Sequence, residues 1–230
     1  MLKVYLCAFI NTAYLEEAKI CIQSLRTNGR FDGPIYLFTD MDVSINGVTT
    51  IKVKCNNVKL SASYRTRLFE HMKDFSSDDI FLYLDTDIVV MKPLPSFDSI
   101  DYKIHVYGYP NRKQGDSGFA GFITNDITYT SKQAICSGIL LFRPSEKAKN
   151  VFDETYKLYL ELISKNKIND CWEQPALCFT LIQKDMCEIS LTNYVYEERT
   201  HGKIADSHIF NHFCGMRGSS RYVGMKKYIL

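Results

Sequence analysis

The chain has 230 residues, of which 46% are hydrophobic, and a formal net charge of +2. This composition is sufficient for the core of a full domain, and the lack of a dense lysine and arginine stripe excludes a generic nucleic-acid binder. No run approaches the roughly 18 apolar residues of a membrane span. The eight cysteines form no C-x-x-C pair, which argues against a zinc site and favours a reducing, cytoplasmic location.

The first half of the sequence alternates strands with helices. Strands are predicted over residues 3–9, 35–39 and 49–53, and helical spacing follows the first strand until Gly29. The intervening turn, residues 10–14, lacks the glycines of a dinucleotide fold. Its Asn11 and Thr12 suit either a helix cap or a ligand contact, and Tyr14 either packs or stacks on a ring. A further helix is predicted from about residue 61 to 75, with Arg65 and Arg67 in its first turn.

An apolar stretch over residues 81–90 is interrupted only by Asp85, Thr86 and Asp87. It is predicted to be one buried strand, in which side-chain alternation places both aspartates on the same side, at a crevice. Burying unpaired carboxylates among apolar residues is costly, so the pair predicts a site for Mg²⁺ or Mn²⁺ that a nucleotide diphosphate would complete. The alternative is a loop cap and a solvated carboxylate.

The second half of the sequence contains strands and helices without a regular alternation. Strands are predicted over residues 103–110, 135–142, 187–191 and 208–213, and helices after Ser145 and from about 171 to 182. Residues 111–132 form a glycine-rich segment that is either a lid, an acceptor-side loop or disordered. Ser137-Gly138 would admit a ligand or form a bulge, and Glu173-Gln174 would cap a helix or face a sugar. The basic C-terminal segment would bind phosphate or fray.

These elements predict an α/β fold with a mostly parallel, Rossmann-like central sheet flanked by helices. A single domain is expected over residues 1–230, with a nucleotide-binding half at about 1–110 and a sugar-side or acceptor-side half at about 111–230.

The sequence resembles the retaining, family-8 type glycosyltransferases of the GT-A fold, which include glycogenin and lipopolysaccharide galactosyltransferases. The resemblance is carried, in chain order, by Asn11-Thr12 with Tyr14, the segment SASYRTRL from Ser61, LYLDTD from Leu82, Cys136-Ser137-Gly138, Glu173-Gln174 and His212-Phe213-Cys214-Gly215.

This resemblance implies transfer of a hexosyl group, glucose or galactose, from a UDP-sugar to a hydroxyl of a glycan or protein-glycan acceptor, with retention. It implies that Asp85, Asp87 and His212 hold Mn²⁺, with Mg²⁺ as the alternative. Implied substrate-binding residues are Asn11, Thr12, Tyr14, Arg67, Thr86, Ser137, Gly138, Gly215 and Arg217. Implied participants at the reaction centre are Asp87, Arg67, Glu173 and Gln174.

The chain departs from the family pattern at two places. Cys136 stands where the family has an amide, and Glu173 where it has aspartate, which affects sugar choice. The family's Lys-Pro-Trp is missing, so Arg217 or Arg221 would have to supply the phosphate contact of that lysine.

Two other functions fit parts of the sequence. Residues 85–89 match the D-x-D-x-[TV] of haloacid-dehalogenase-like phosphatases, in which Asp85 would attack phosphorus, although that motif follows the first strand and here about three strands precede it. A non-catalytic nucleotide-sugar or glycan-binding module is the second alternative.

Overall fold

A computed structural model describes residues 1–55, 57–73, 75–116, 118–168, 173–198, 205–214 and 218–229. Its strands are β1 (Leu2–Ala8), β2 (Ile35–Thr39), β3 (Thr49–Lys52), β4 (Ile80–Leu84), β5 (Ile88–Val90), β6 (Ile104–Lys113), β7 (Gln133–Phe142), β8 (Cys187–Ile189), β9 (Val195–Glu197) and β10 (Phe210–His212). Seven of them form one sheet in the order β3-β2-β1-β4-β7-β6-β8. Only β7 runs antiparallel to its neighbours in this sheet. The predicted mostly parallel α/β architecture is confirmed.

The helices cover both faces of this sheet. They are α1 (Thr12–Thr27), α2 (Val58–Ser61), α3 (Leu68–His71), α4 (Ile127–Thr130), α5 (Glu146–Ser164), α6 (Gln174–Gln183) and α7 (Gly218–Lys226). Short 3₁₀ helices cover Ala62–Thr66, Ala120–Phe122 and Thr192–Tyr194. One hydrophobic cluster lies under α1 and a second lies under α5 and α6, so the central strands are buried on both sides. This is why the sequences of these strands are continuous apolar runs.

The prediction of one strand over residues 81–90 is wrong. β4 ends at Leu84, the chain turns through residues 85–87, and β5 pairs with β10 in a second, three-stranded sheet. The two carboxylates therefore lie in a turn between two sheets rather than on one face of a strand. In this turn Asp87 is buried and Asp85 is half-buried, so their carboxylates need polar partners.

The prediction of a continuous helix over residues 61–75 is also wrong. The segment is divided into α2, the 3₁₀ helix Ala62–Thr66 and α3. Arg65 lies within the 3₁₀ helix, whereas Arg67 lies between it and α3.

The glycine-rich segment is shorter than predicted, because β6 continues to Lys113. Beyond it the described residues contain a 3₁₀ turn and α4, which Asp126 caps by accepting a hydrogen bond from Thr128 N. Strand β9 was not predicted from the sequence. Within the described part of the chain, every helix is too short or too polar to cross a membrane.

Candidate functional site

Two adjoining cavities open at the carboxyl end of β4, and Arg65, Asp85 and Asp87 line both. The α1 cavity, of about 380 Å³, also contacts Asn11 and Tyr14 at the start of α1. The β7 cavity, of about 360 Å³, is lined further by Tyr109, Arg112, Phe119, Cys136, Ser137, Gly138, Glu173, Gln174, His212 and Cys214. The aspartate turn is thus the boundary between two compartments.

Asp85 uses one carboxylate oxygen for fixed partners. Its Oδ1 accepts a hydrogen bond from the Tyr83 hydroxyl at 2.5 Å and lies 3.1 Å from Arg65 Nη1. The other oxygen, Oδ2, faces Gly138, beside the ring of His212. The carboxylate is therefore oriented by its neighbours with one oxygen left for a ligand.

Asp87 is oriented in the same way. Its Oδ2 accepts a hydrogen bond from Arg221 Nη1 at 3.0 Å. Its Oδ1 is buried without a hydrogen-bond partner, although His212 Nε2 is only 3.3 Å away. Burial opposes ionisation of Asp87, but His212 and Arg221 outweigh it and lower the pKa of the carboxyl group. The negative charge of Asp87 is thus held at a position with little exposure to solvent.

His212 lies opposite this carboxylate at the end of β10. Burial disfavours its imidazolium, but the charges of Asp87 and Cys214 outweigh burial and raise the pKa of His212 well above its ordinary value.

The residues fit a divalent cation. One ligand atom from each of Asp85, Asp87 and His212 lies within 4.8 Å of the others. Hard cations hold oxygen ligands at about 2.0–2.6 Å, so two ligands of one ion are separated by no more than roughly 4–5 Å. Together with the unpartnered Oδ1 of Asp87, this geometry is that of a three-ligand metal site.

Gly138 is essential to this arrangement. Between Val106 and Tyr107 of β6, the register with β7 shifts, so residues 137–139 bulge out of that pairing. The Gly138 carbonyl accepts a hydrogen bond from Asp85 N at 2.8 Å, and a Cβ atom here would lie 2.8 Å from Asp85 Oδ2 and 3.0 Å from His212 Cε1. Both sequence interpretations, bulge and close approach, therefore apply to this position.

We expect Gly138→Ala to weaken Mn²⁺ binding by about 10- to 100-fold, as losses of metal-orienting groups do. The added methyl group must displace a carboxylate or the imidazole. Titration followed by the electron paramagnetic resonance of free Mn²⁺ measures the effect. Gly115→Ala, outside both cavities, is the control, and equal Mn²⁺ affinity in the two variants would contradict the prediction.

Arg65, rather than Arg67, occupies the centre of the site. Its Nη1 lies 3.1 Å from Asp85 Oδ1 and its Nε 2.9 Å from Glu173 Oε1, and Nη1 also donates to the Ser137 carbonyl at 3.0 Å. Burial lowers the pKa of a guanidinium, but Asp85 and Glu173 reverse this and raise it. Arg65 is thus a buried, permanent cation between two acids.

Arg67 lies away from the two cavities. Its guanidinium bonds Glu70 and lies over the rings of Tyr64 and Tyr156. The sequence assignment of Arg67 to the donor or reaction centre is therefore corrected in favour of Arg65, because of these two arginines only Arg65 lines the cavities.

Glu173 and Gln174 both line the β7 cavity at the start of α6. Burial raises the pKa of Glu173, although the Arg65 charge opposes this. Gln174 Oε1 accepts a hydrogen bond from Ser137 N at 3.1 Å, and its Nε2 donates to the Gly118 carbonyl at 3.3 Å. These residues form one connected polar wall with Ser137.

The α1 cavity contains most of the predicted nucleotide contacts. Asn11 caps α1, its Oδ1 accepting from Ala13 N at 2.9 Å, and also lines the cavity with Tyr14 and Thr86. Thr12 begins the helix but is not among the lining residues. Ile10 has a φ of 68°, an unusual value for a β-branched residue, and its N–H donates to Asp40 Oδ1 at 2.9 Å. A strained turn is thus fixed at the cavity edge.

Arg221 reaches the α1 cavity from α7. It forms two hydrogen bonds with the buried Glu17 carboxylate, at 2.8 and 3.0 Å, and a third with Asp87. Burial raises the pKa of Glu17, even though Arg221 bonds it. Gly215 and Arg217 lie outside the described residues. Of the two arginines suggested by the sequence, Arg221 is the one with a described position in the site.

Sequence reasoning missed Glu17 and undervalued Arg65. Glu17 interrupts the buried face of α1, being 2% exposed in a helix whose neighbours there are apolar, and a charged residue at such a position signals a buried partner. No comparable signal in the sequence marked Arg65, because Arg67 lies two positions later in the same predicted helix.

Comparison with solved structures identifies the fold. A galactosyltransferase, LgtC, in complex with donor and acceptor sugar analogs has a TM-score of 0.63 at 14% identity, covering 100% of this chain and 96% of that chain. An active-site mutant of LgtC has a TM-score of 0.64 at 14% identity, covering 99% and 95%. No protein-family model matches the chain, and no curated protein matches it. At this identity the likeness shows the fold, and it confirms the GT-A architecture expected from the sequence.

Proposed function

We propose that this protein is a metal-dependent glycosyltransferase that moves a hexosyl group, glucose or galactose, from a UDP-sugar to a hydroxyl of a glycan or protein-glycan acceptor. One observation carries the proposal. Asp85 and Asp87 each have one oxygen fixed by an arginine, and their other oxygens face the space beside His212, between two cavities. The similarity to LgtC over the full chain supports the same class of reaction.

Asp85, Asp87 and His212 would hold the cation, and we propose Mn²⁺ because one imidazole joins two carboxylates. When bound, such an ion supplies Lewis-acid stabilisation of the negative charge on a departing diphosphate. Arg65 and Arg221 each fix one oxygen of a carboxylate, so both carboxylates are oriented before any substrate arrives.

We assign the nucleoside to the α1 cavity and the sugar to the β7 cavity. Asn11 and Tyr14 would contact the base and ribose, and Arg221 the diphosphate, where it replaces the missing family lysine. The wall formed by Ser137, Glu173 and Gln174 would orient the sugar hydroxyls. This division places the sugar–phosphate bond beside the aspartate turn.

The reaction breaks the bond between sugar C1 and the β-phosphate oxygen, and the electron pair stays on UDP. The acceptor oxygen forms the new bond to C1, and its proton passes to a diphosphate oxygen. Retention would follow if the acceptor attacks from the face that UDP leaves. Arg221 and backbone donors of the site would stabilise the charge on UDP.

The dehalogenase-like alternative is not supported by the fold, because Asp85 follows β4, the fourth strand, and the sheet is that of LgtC. The non-catalytic module is distinguished by experiment. UDP release from UDP-glucose and UDP-galactose is measured with Mn²⁺, with Mg²⁺ and after chelation. Metal-dependent release supports the proposal, whereas binding without release supports the module. Phosphate release from a sugar phosphate without nucleotide would instead support a phosphatase.

We expect Arg221→Met to weaken UDP binding at saturating Mn²⁺ by about 10- to 100-fold, since a hydrogen bond to a charged group contributes about 1.5–3 kcal/mol. Calorimetric titration with UDP measures the effect. Lys226→Met, on the same helix but with its ammonium over the Tyr222 ring, is the control. Unchanged UDP affinity in Arg221→Met would show that another residue contacts the diphosphate.

A further inference from the structure

A second group of potential metal ligands also includes His212. Glu197 on β9 is the direct strand partner of His212 on β10, and Cys214 follows two residues later. One ligand atom from each of these three residues lies within 4.8 Å of the others. Glu197 and His212 are buried, and Cys214 is half-buried and lines the β7 cavity.

The two ring nitrogens of His212 face different chemistry. Nε2 lies 3.3 Å from the oxygen Oδ1 of Asp87, whereas Nδ1 lies 3.9 Å from the sulfur of Cys136. The Cys214 thiol donates a hydrogen bond to Glu197 Oε1 at 3.4 Å. His212 therefore belongs both to an oxygen-rich group of ligands and to one that contains sulfur.

The ligand types differ accordingly. Two carboxylates and an imidazole suit Mn²⁺ or Mg²⁺, while a thiolate, an imidazole and a carboxylate suit Zn²⁺. Three protein ligands would leave one of the four positions of Zn²⁺ for another ligand. The sequence argued against zinc because its cysteines lack C-x-x-C spacing and several lie in apolar runs, but these three ligands come from β9, β10 and the residue two positions after β10.

We propose that Glu197, His212 and Cys214 form a binding site for a thiophilic divalent cation of the Zn²⁺ type. Binding would release the thiol proton to solvent, because the thiolate is the ligand. A neutral imidazole carries a proton on one of its two nitrogens and offers only the other to a cation, so His212 cannot bind a cation in each site at once. The two sites are therefore mutually exclusive at His212, and Zn²⁺ opposes Mn²⁺. An inhibitory effect on transfer rests in addition on the proposed function.

The site is tested with Co²⁺ as a spectroscopic probe for Zn²⁺, without any nucleotide sugar. Thiolate coordination of Co²⁺ gives a charge-transfer absorption in the near ultraviolet. We expect this band in the wild type, in Asp85→Asn, which lacks a ligand of the other site, and in the thiol controls Cys136→Ser and Cys187→Ser. In Cys214→Ser we expect the band to disappear and Zn²⁺ affinity to fall on the order of 10²-fold, as loss of one of three ligands predicts.

Absence of the band in the wild type, or its persistence in Cys214→Ser, overturns the proposal, and so does its loss in Cys136→Ser with Cys214 intact. Folding of each variant is checked by circular dichroism. Because the band requires no turnover, failure of the glycosyltransferase assignment would leave this result unaffected.

Competition between Zn²⁺ and Mn²⁺ for His212 is measured separately. The paramagnetic resonance of free Mn²⁺ reports its release from the protein as Zn²⁺ is added. We expect Zn²⁺ to release bound Mn²⁺ from the wild type at least 10-fold more effectively than from Cys214→Ser. Equal release from both proteins would overturn the shared use of His212.

Discussion

Asp87→Asn is expected to lower kcat/KM for UDP release by about 10²-fold or more, the scale of losing one preorganised electrostatic group. The substitution removes the ionised oxygen that lies 3.3 Å from His212 and the partner of Arg221. It also removes the carboxylate charge that His212 and Arg221 share, so Mn²⁺ affinity should fall in parallel. Steady-state assays over a range of Mn²⁺ concentrations separate weaker metal binding from slower chemistry.

Asp42→Asn is the matched control for this variant. Asp42 lies on the surface, 90% exposed at the side chain, and pairs with Lys52 far from the cavities. Surface ion pairs contribute only about 0–1 kcal/mol to stability, so this variant should keep wild-type activity and folding. If Asp87→Asn retained wild-type kcat/KM at low Mn²⁺, the proposed ligand set would be wrong.

Arg65→Met is expected to lower the free energy of unfolding by about 3–5 kcal/mol in the absence of metal. It leaves Glu173, 1% exposed at the side chain, as an uncompensated buried carboxylate and removes the partner of the partly exposed Asp85. Urea unfolding followed by circular dichroism measures the change. Adding Glu173→Leu should recover most of the loss, because a buried ion pair can be replaced by apolar groups at little cost.

Arg67→Met tests the corrected assignment. Its ion pair with Glu70 and its contacts with Tyr64 and Tyr156 predict a loss of about 1 kcal/mol, and activity should stay within a few-fold of wild type. If instead Arg67→Met abolished activity while Arg65→Met was as stable as the wild type, the assignment of Arg65 rather than Arg67 to the site would be refuted.

The predictions from sequence were most accurate where local patterns were strong. β2 was predicted at its observed bounds, β1 to within one residue at each end, and α1 with a start three residues too late. Ser145 caps α5 as expected, its Oγ accepting from Ala148 N at 3.1 Å. Errors occurred where tertiary contacts override a local pattern. An apolar run can continue across two sheets, and helical spacing can persist across a 3₁₀ break, without any change in composition.

The sequence by itself determined most strands of the main sheet, the long helices α1, α5 and α6, the apolar core and the presence of paired aspartates, because each depends on neighbouring residues. The family resemblance added His212 to the aspartates, and the tertiary structure decided the rest of their surroundings. His212, Arg221 and Glu17 come from β10, α7 and α1, and packing of these separate elements brings them together. Local periodicity carries no information about contacts between residues more than a hundred positions apart, so the charge balance of the site follows from the folded topology alone.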